Sequence, residues 1–410
     1  MQYLKKWNMI NISRFINKNV TKRFESMFAQ DIEVNKHILQ KEIEGKKVLV
    51  IGGGGTIGSS FIRSILPFKP CKLTVVDISE NNLAELTRDL RSRYNFYVPK
   101  DYMPYPISYA DPIFEKIFRK AGGFDIVANF AAHKHVRSEK DQYSVEAMME
   151  NNVIKARKLL ELLAEIPPKH FFCVSTDKAA NPVNIMGCSK KIMENMIMSY
   201  SGKFKICTAR FANVAFSNGS LLAGFIDRMM KNQPLAAPND VRRYFVSPDE
   251  SGQICMLACI LGENRQIFFP KLGEKQMLTF SHICDDFLHS LGYEPKVCKT
   301  DEEAKEYASE MPKDSKKYPV VYFKSDTTGE KDFEEFFVPG EELDLKRFNS
   351  LGVIKNIKLR PVSELDNFLK DINRLFAKSE FTKEEVVKVM KDFIPNFEHE
   401  EKGKNLDQKM

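Results

Sequence analysis

Between Lys47 and about Arg210, short apolar runs alternate with longer stretches in which apolar residues recur every three or four positions. The runs are Val48–Ile51, Lys72–Val76, a short one ending at Ile107, Phe124–Asn129, Phe171–Ser175 and Phe204–Arg210. Continuous apolar runs of this length fit strands buried on both faces, and the spacing between them fits amphipathic helices. Such alternation predicts right-handed crossovers and an α/β fold built on a doubly wound parallel sheet. Ligands of such a sheet bind beyond the carboxyl ends of its strands. After Arg210 the pattern turns irregular: a loop at 213–220, a helix over Leu221–Lys231, then Arg242–Phe245 and Asp326–Glu330. Late loops carrying Gly and Arg suit a smaller substrate-binding part, and the charged stretch Thr300–Tyr318 reads as a surface excursion.

The flanks have different patterns. Residues 1–44 lack Pro and mix basic residues with apolar ones at helical spacing, which predicts an N-terminal helical extension. Its face of Trp7, Ile10, Ile12 and Phe15 suits packing on the body or a subunit interface, with a membrane surface as the other use. The fingerprint strand begins only at about Lys46, so residues 1–43 are expected to be removable from the catalytic fold. Beyond Ser379, Thr382 and Glu385 stand as a capping box, followed by a short helix and a polar end that is expected to be disordered. The expected division is therefore 1–44 extension, 45–212 nucleotide-binding domain, 213–375 mostly substrate-binding part, and 376–410 helical and polar tail.

Composition adds limits. Hydrophobic residues make up 43% and charged residues 29% of the 410, ordinary for a globular chain, and the net charge of +7 is scattered. No basic run points to nucleic acid. No apolar stretch reaches the roughly 18 residues of a membrane helix, and a signal-peptide core is missing from the N-terminus, so a soluble cytoplasmic protein is expected. The eight cysteines lack paired metal spacing and read as reduced core residues.

Candidate chemistry starts at Gly52–Gly55, four glycines between an apolar run and a helical pattern. Gly53, Gly55 and Gly58 fit one dinucleotide spacing; Gly52, Gly55 and Gly58 fit its extended variant, with Thr56 and Ile57 opening the helix. Glycines allow positive φ, close approach of a pyrophosphate to bare backbone and tight packing of helix on strand. The helix N-terminus then offers free N–H groups to phosphate. Asp77 closes the second run at the spacing of a carboxylate for ribose hydroxyls; with no Arg after it, NAD is expected rather than NADP. A helix-capping role for Asp77 is compatible with this. Asp111 after the third run marks the adenine edge, and Ala131 and Ala132 after the fourth leave room for a dinucleotide.

A second stretch, STDKAANPVNIMGCSKKIME from Ser175, leaves the fifth run and enters a helix on which Met186 and Lys190 share a face. Together with GGGGTIGSS, AAHKHV from Ala131, RFANVAFSNGS from Arg210, RYF from Arg243 and GEK from Gly329, it resembles the nucleotide-sugar 4,6-dehydratases of the extended short-chain dehydrogenase/reductases. The resemblance is specifically to the capsular-polysaccharide type acting on UDP-N-acetylglucosamine, and it covers roughly residues 45–335. It implies a Rossmann-type fold, bound NAD, a UDP-sugar substrate, a homo-oligomer and a role in bacterial surface-glycan synthesis.

The resemblance also implies roles. Lys190 would bind the nicotinamide ribose and lower nearby pKa values by its charge. Asp177 would be the acid for the hydroxyl leaving carbon 6, Lys178 the base at carbon 5, and Thr176 a hydrogen-bond partner around carbon 4. Asn213, Ser217, Ser220, Arg243 and Glu330 would hold the nucleotide diphosphate, with His133 and Lys134 on the substrate side. The reaction itself requires such a set. Oxidation of carbon 4 acidifies the carbon 5 proton, and an acid and a base must then flank the bond between carbons 5 and 6.

Two departures stand out. Most of the superfamily has Tyr as the carbon 4 base where this chain has Met186, although some capsular-type dehydratases share the Met; Thr176, Asp177 or a water held by Lys190 are the candidates for that role. After His135, RSEKDQYS replaces the usual Pro and Met-Glu pair. His133 and His135 have no carboxylate or Cys at metal spacing, so structural or cofactor-adjacent roles are favoured. Alternative activities are a 4-epimerase of the same fold, disfavoured by Met186, and an NAD-binding regulator without catalysis, disfavoured by retention of Asp177, Lys178 and Lys190.

Overall fold

All six apolar runs become strands of one sheet: β1 Lys47–Ile51, β2 Lys72–Asp77, β3 Asp101–Pro106, β4 Ile126–Asn129, β5 His170–Val174 and β6 Ile206–Ala209. They lie in the order 3-2-1-4-5-6, each neighbour parallel to the next. The structure is a computed structural model that describes residues 10–135, 139–325, 333 and 335–399. Strand order reverses between β1 and β4, and the crevice left there is where ligands of doubly wound folds settle. The strands here are apolar because helices cover both faces; β5 is buried at every residue.

The sheet continues past the expected sixth strand. β7 Gln266–Pro270 adds parallel to β6, and β8 Glu342–Asp344 and β9 Leu351–Lys355 complete nine strands through antiparallel pairing. Much of the 213–375 stretch therefore builds the main sheet. β7 is also wholly buried, which its apolar sequence QIFFP explains. The helix Pro248–Leu261 lies against the helix Thr56–Ile65 so closely that a Cβ on Gly252 would fall 2.2 Å from the Ser60 backbone.

The smaller part carries a three-stranded parallel sheet of Leu235–Pro238, Glu294–Cys298 and Lys317–Phe323. Phe225, Phe287 and Tyr318 centre its separate core. The expected excursion at 300–318 holds a helix, Asp301–Glu310, capped by Thr300 and seated through buried Ala304 and Ala308. Cys71 is exposed and the other seven cysteines are buried and free. Among the described residues, no helix is long and apolar enough to cross a membrane.

The N-terminal extension does not stand apart. Phe15, Ile16 and Val20 enter the smaller core, where the Phe15 ring meets those of Phe216 and Phe287 at 5.7 Å each. Phe28, Leu39 and Ile43, on and before the helices Ala29–Val34 and Lys36–Ile43, are wholly buried in the main core. Packing on the body thus accounts for Phe15 and, in part, for Ile10 and Ile12, while Trp7 lies outside the described residues. Arg23 grips Glu250 with Nε and Nη2, both at 2.8 Å, and the Asp31 carboxylate accepts the N–H groups of Asn349 at 2.6 Å and Ser350 at 2.8 Å. The tail also joins the core: the capping box of Thr382 and Glu385 forms, and Val386, Met390 and Phe393 are buried. The last residues, expected to be disordered, lie outside the described residues.

Asp31→Ala would leave two backbone donors without their carboxylate. Losses of this kind cost roughly 1–3 kcal/mol, so the urea midpoint should fall with an unchanged slope. An unchanged midpoint would mean that the Asp31 anchor adds nothing to stability.

Candidate functional site

The glycine turn follows β1 for steric reasons. Gly52 has φ +72°, and a Cβ there would come within 2.6 Å of the Ala131 nitrogen. A Cβ on Gly58 would lie 2.3 Å from the Gly52 carbonyl oxygen, so the helix can start against its strand only with glycine at both places. Gly55 is the N-cap of that helix and offers no side-chain cap, which leaves the N–H groups of Thr56 and Ile57 at a bare helix start. Asp77 ends β2 beside the turn. Its Oδ2 accepts Gly54 N–H and its Oδ1 accepts Ser79 N–H, both at 2.9 Å, while Ser79 itself caps the helix Glu80–Ser92. Half-buried and anchored in this way, the carboxylate keeps lone pairs on both oxygens. This bare backbone cradle and anchored carboxylate fit a dinucleotide.

Ala131 and Ala132 follow β4, half-buried, with Ala131 N–H donating to Asn129 Oδ1 at 3.0 Å. Asp111 lies beyond β3, exposed, its Oδ2 accepting Ser108 N–H at 2.9 Å; it closes its own loop. His133 is held by backbone alone: its N–H donates to Asn152 Oδ1 at 2.8 Å and its carbonyl accepts from Asn152 Nδ2 at 3.0 Å. Burial, and then nearby Lys155, push the pKa of its imidazole down. Among the described residues no cluster of His, Cys, Asp and Glu could hold a metal.

At the end of β5 the chain makes a single 3-10 turn, Asp177–Ala179, with Thr176 as its N-cap. Three donors converge on Asp177 Oδ1: the Thr176 hydroxyl at 2.8 Å, Lys178 N–H at 2.9 Å and Lys178 Nζ at 3.2 Å. Asp177 is buried and Lys178 half-buried. The following helix, Ile185–Ser199, is capped by Asn184, which accepts Gly187 N–H at 2.7 Å. Lys190 on that helix is buried and donates from Nζ to the Val174 carbonyl at 2.9 Å; burial lowers the pKa of its ammonium. Met186 is buried and its N–H donates to Glu139 Oε1 at 2.9 Å.

The loop 213–220 reaches back over the glycine turn. Asn218 N–H donates to Thr56 Oγ1 at 2.9 Å, and Lys134 Nζ donates to the Asn218 carbonyl at 3.2 Å. Asn213 pairs beside Phe245, Ser217 is buried, and Ser220 caps the helix Leu221–Met230 by accepting Ala223 N–H. Arg243 is buried on a two-residue strand paired with Leu278 and Thr279. Glu330 lies outside the described residues. Two contributors escaped sequence reasoning. Glu139 receives the start of the Lys190 helix, and Asn152 ties His133 to Ser189 at 3.0 Å on that same helix. A lone Glu in RSEKDQYS and one Asn in a helix gave no signal of this.

Residues 48–353 match the family described as polysaccharide biosynthesis protein. The chain belongs to that family. It is 29% identical over 258 residues to a probable polysaccharide biosynthesis protein, EpsC, of Bacillus subtilis, covering 62% of this chain and 42% of that one. It is 23% identical over 246 residues to the UDP-N-acetylglucosamine 4,6-dehydratase (inverting) of Campylobacter jejuni, covering 58% and 70%. In fold it is similar to the structure of Pen from Bacillus thuringiensis, with a TM-score of 0.62 at 19% identity over 81% of this chain and 98% of that one. The chain thus spans less than half the length of EpsC. The family places the nucleotide turn and the sheet among the extended short-chain dehydrogenase/reductases.

Gly58→Ala sets a Cβ against a backbone oxygen that cannot swing aside. Overpacking of this kind costs about 1–3 kcal/mol, which should appear as a lower urea midpoint. A neutral substitution would show that the helix is not seated on the turn.

Proposed function

We propose that the chain is a lyase that retains NAD and removes water from a UDP-sugar, with UDP-N-acetylglucosamine as the substrate and a UDP-4-keto-6-deoxy sugar as the product. The observation that carries this reading is the Thr176–Asp177–Lys178 turn at the end of β5, where an acid and an amine share one hydrogen-bonded group beside a buried Lys190. The likeness to a dehydratase and to polysaccharide biosynthesis proteins supports it. Gly52, Gly55 and Gly58, the N–H groups of Thr56 and Ile57, and Asp77 would hold the dinucleotide. A carboxylate at Asp77 disfavours a 2′-phosphate, hence NAD rather than NADP. Lys190 would place the ribose with its remaining hydrogens. When bound, NAD supplies the oxidising step at carbon 4 and the matching reduction at carbon 6.

The protons move through the turn. The Thr176 hydroxyl and the Lys178 N–H both donate to Asp177 Oδ1. Thr176 therefore relays the carbon 4 hydroxyl proton to Asp177, filling the role that Met186 lacks. Lys178 in its amine form takes the carbon 5 proton. Asp177 then gives its proton to the hydroxyl leaving carbon 6 as water, and the Lys178 ammonium returns a proton to carbon 5. Asp177 ends as carboxylate and Lys178 as amine, so the cycle closes with the loss of one water.

Two variants separate the halves. In Lys178→Ala, substrate should produce reduced-nicotinamide absorbance without 4-keto-6-deoxy product and without carbon 5 exchange in heavy water; full turnover would remove Lys178 from the base role. Thr176→Val should slow the appearance of reduced nicotinamide by about 10²- to 10⁴-fold, with Thr176→Ser near wild type. Mass spectrometry of the wild-type product decides the reaction class: loss of one water supports the lyase, and an isomer of equal mass supports a 4-epimerase.

A further inference from the structure

Behind the Thr176–Lys178 turn lies a buried ionic group that the proposed chemistry does not use. Arg210 is fully buried, and Glu194 nearly so. Arg210 donates from Nε and Nη2 to the two carboxylate oxygens of Glu194 at 2.9 and 2.8 Å. From Nη1 it reaches the Phe336 carbonyl at 3.1 Å and both Glu341 oxygens at 3.2 Å. Burial opposes the charge on Glu194, but the Arg210 guanidinium and Lys191 overcome it and hold the carboxyl down to about 2. A buried ion pair of this kind is no more stabilising than apolar side chains of the same volume, because desolvation offsets the attraction. What it does supply is fixed geometry, through paired hydrogen bonds that apolar groups lack.

That geometry converges on the strand end. Lys190 and Glu194 lie one turn apart on the same helix, and each takes hold of a successive residue of the chain leaving β5. Lys190 donates to the Val174 carbonyl at 2.9 Å, and Glu194 accepts the Ser175 hydroxyl at 2.6 Å. Thr176 and Asp177 follow at once. On its other side the guanidinium holds Phe336–Glu341, whose Phe336 ring lies 5.5 Å from that of Tyr244, the neighbour of Arg243. Glu341 in turn accepts Val338 N–H at 2.9 Å.

We propose that Arg210, clasped between Glu194 and Glu341, is a positioning residue that fixes the Thr176–Lys178 turn and the Phe336–Glu341 segment to one another, so that seating of the nucleotide-sugar and alignment of the acid and base are set together. The catalytic half of this statement rests on the dehydratase reading; the mechanical half does not. Glu341, at the rim of the group, is the leg that can be weakened without unfolding the core.

The test uses the full chain with its NAD. Glu341→Gln should keep its NAD, speed amide hydrogen exchange over 336–341 by about tenfold or more, and raise KM for the UDP-sugar about tenfold with kcat little changed. In Glu194→Gln the carboxylate that favours a charged Lys190 is gone. Release of the reduced cofactor, followed by the fluorescence of its reduced nicotinamide, should therefore begin at lower pH than in wild type. The other titratable group facing Lys190, the Cys173 thiol, is pushed up to about 11 by burial and stays neutral meanwhile. Arg210→Lys should not restore the wild-type exchange pattern, since one ammonium cannot make the paired bonds. Wild-type exchange in Glu341→Gln, or an unshifted NAD-release profile in a folded Glu194→Gln, would overturn the proposal. If wild-type protein fails to dehydrate the sugar, the dehydratase reading falls, while the exchange and release measurements still decide the positioning role.

Discussion

Backbone must touch backbone at the start of this fold. The helix Thr56–Ile65 reaches β1 only because Gly58 presents no side chain to the Gly52 carbonyl, and Gly52 itself passes over the end of β4 where any Cβ would strike Ala131. On the far face of the same helix, Gly252 brings the helix Pro248–Leu261 into equally close contact at Ser60. These contacts set the depth at which everything else sits. A helix displaced outward by one methyl would withdraw its N–H groups from the crevice, move Thr56 away from Asn218 and separate the two helices that cover the sheet.

Much of this was legible in the sequence, for identifiable reasons. Strands buried on both faces must be apolar throughout, so β1, β2, β4, β5 and β6 were marked by composition alone. The glycine turn was visible because no other residue tolerates its geometry, and STDKAANP because several chemical groups sit on adjacent residues. β8 and β9 were not visible: they are short, pair antiparallel at an edge and come after long irregular stretches, where local pattern says little about which strand they join. Nor could spacing reveal Asn152 or Glu139, whose roles include hydrogen bonds to backbone groups 19 and 47 positions away. A polar residue with such a partner looks like any surface polar residue until the chain is folded.

The site also shows what a thioether at position 186 changes. Met186 contributes its backbone N–H and a packed side chain, and no group able to accept a proton. In the proposed reaction the acid–base capacity lies instead on three successive residues at the strand end, and the chain entering them is braced from the helix behind by Lys190 and Glu194. Adjacent residues on one tight turn hold their relative positions better than groups brought from separate elements.

The clasp between the N-terminal extension and the body bears on how the chain is made. Residues 12–43 leave the ribosome before the body they pack on, yet Arg23 finds its partner 227 positions later and Asp31 finds its own 318 and 319 positions later. Phe15 likewise waits for Phe216 and Phe287. Neither core can close during early synthesis, so the apolar residues of the extension stay uncovered until nearly all of the sheet has emerged. Contacts of such separation slow folding and lengthen exposure to aggregation. Basic residues interspersed through this segment keep it charged during that interval.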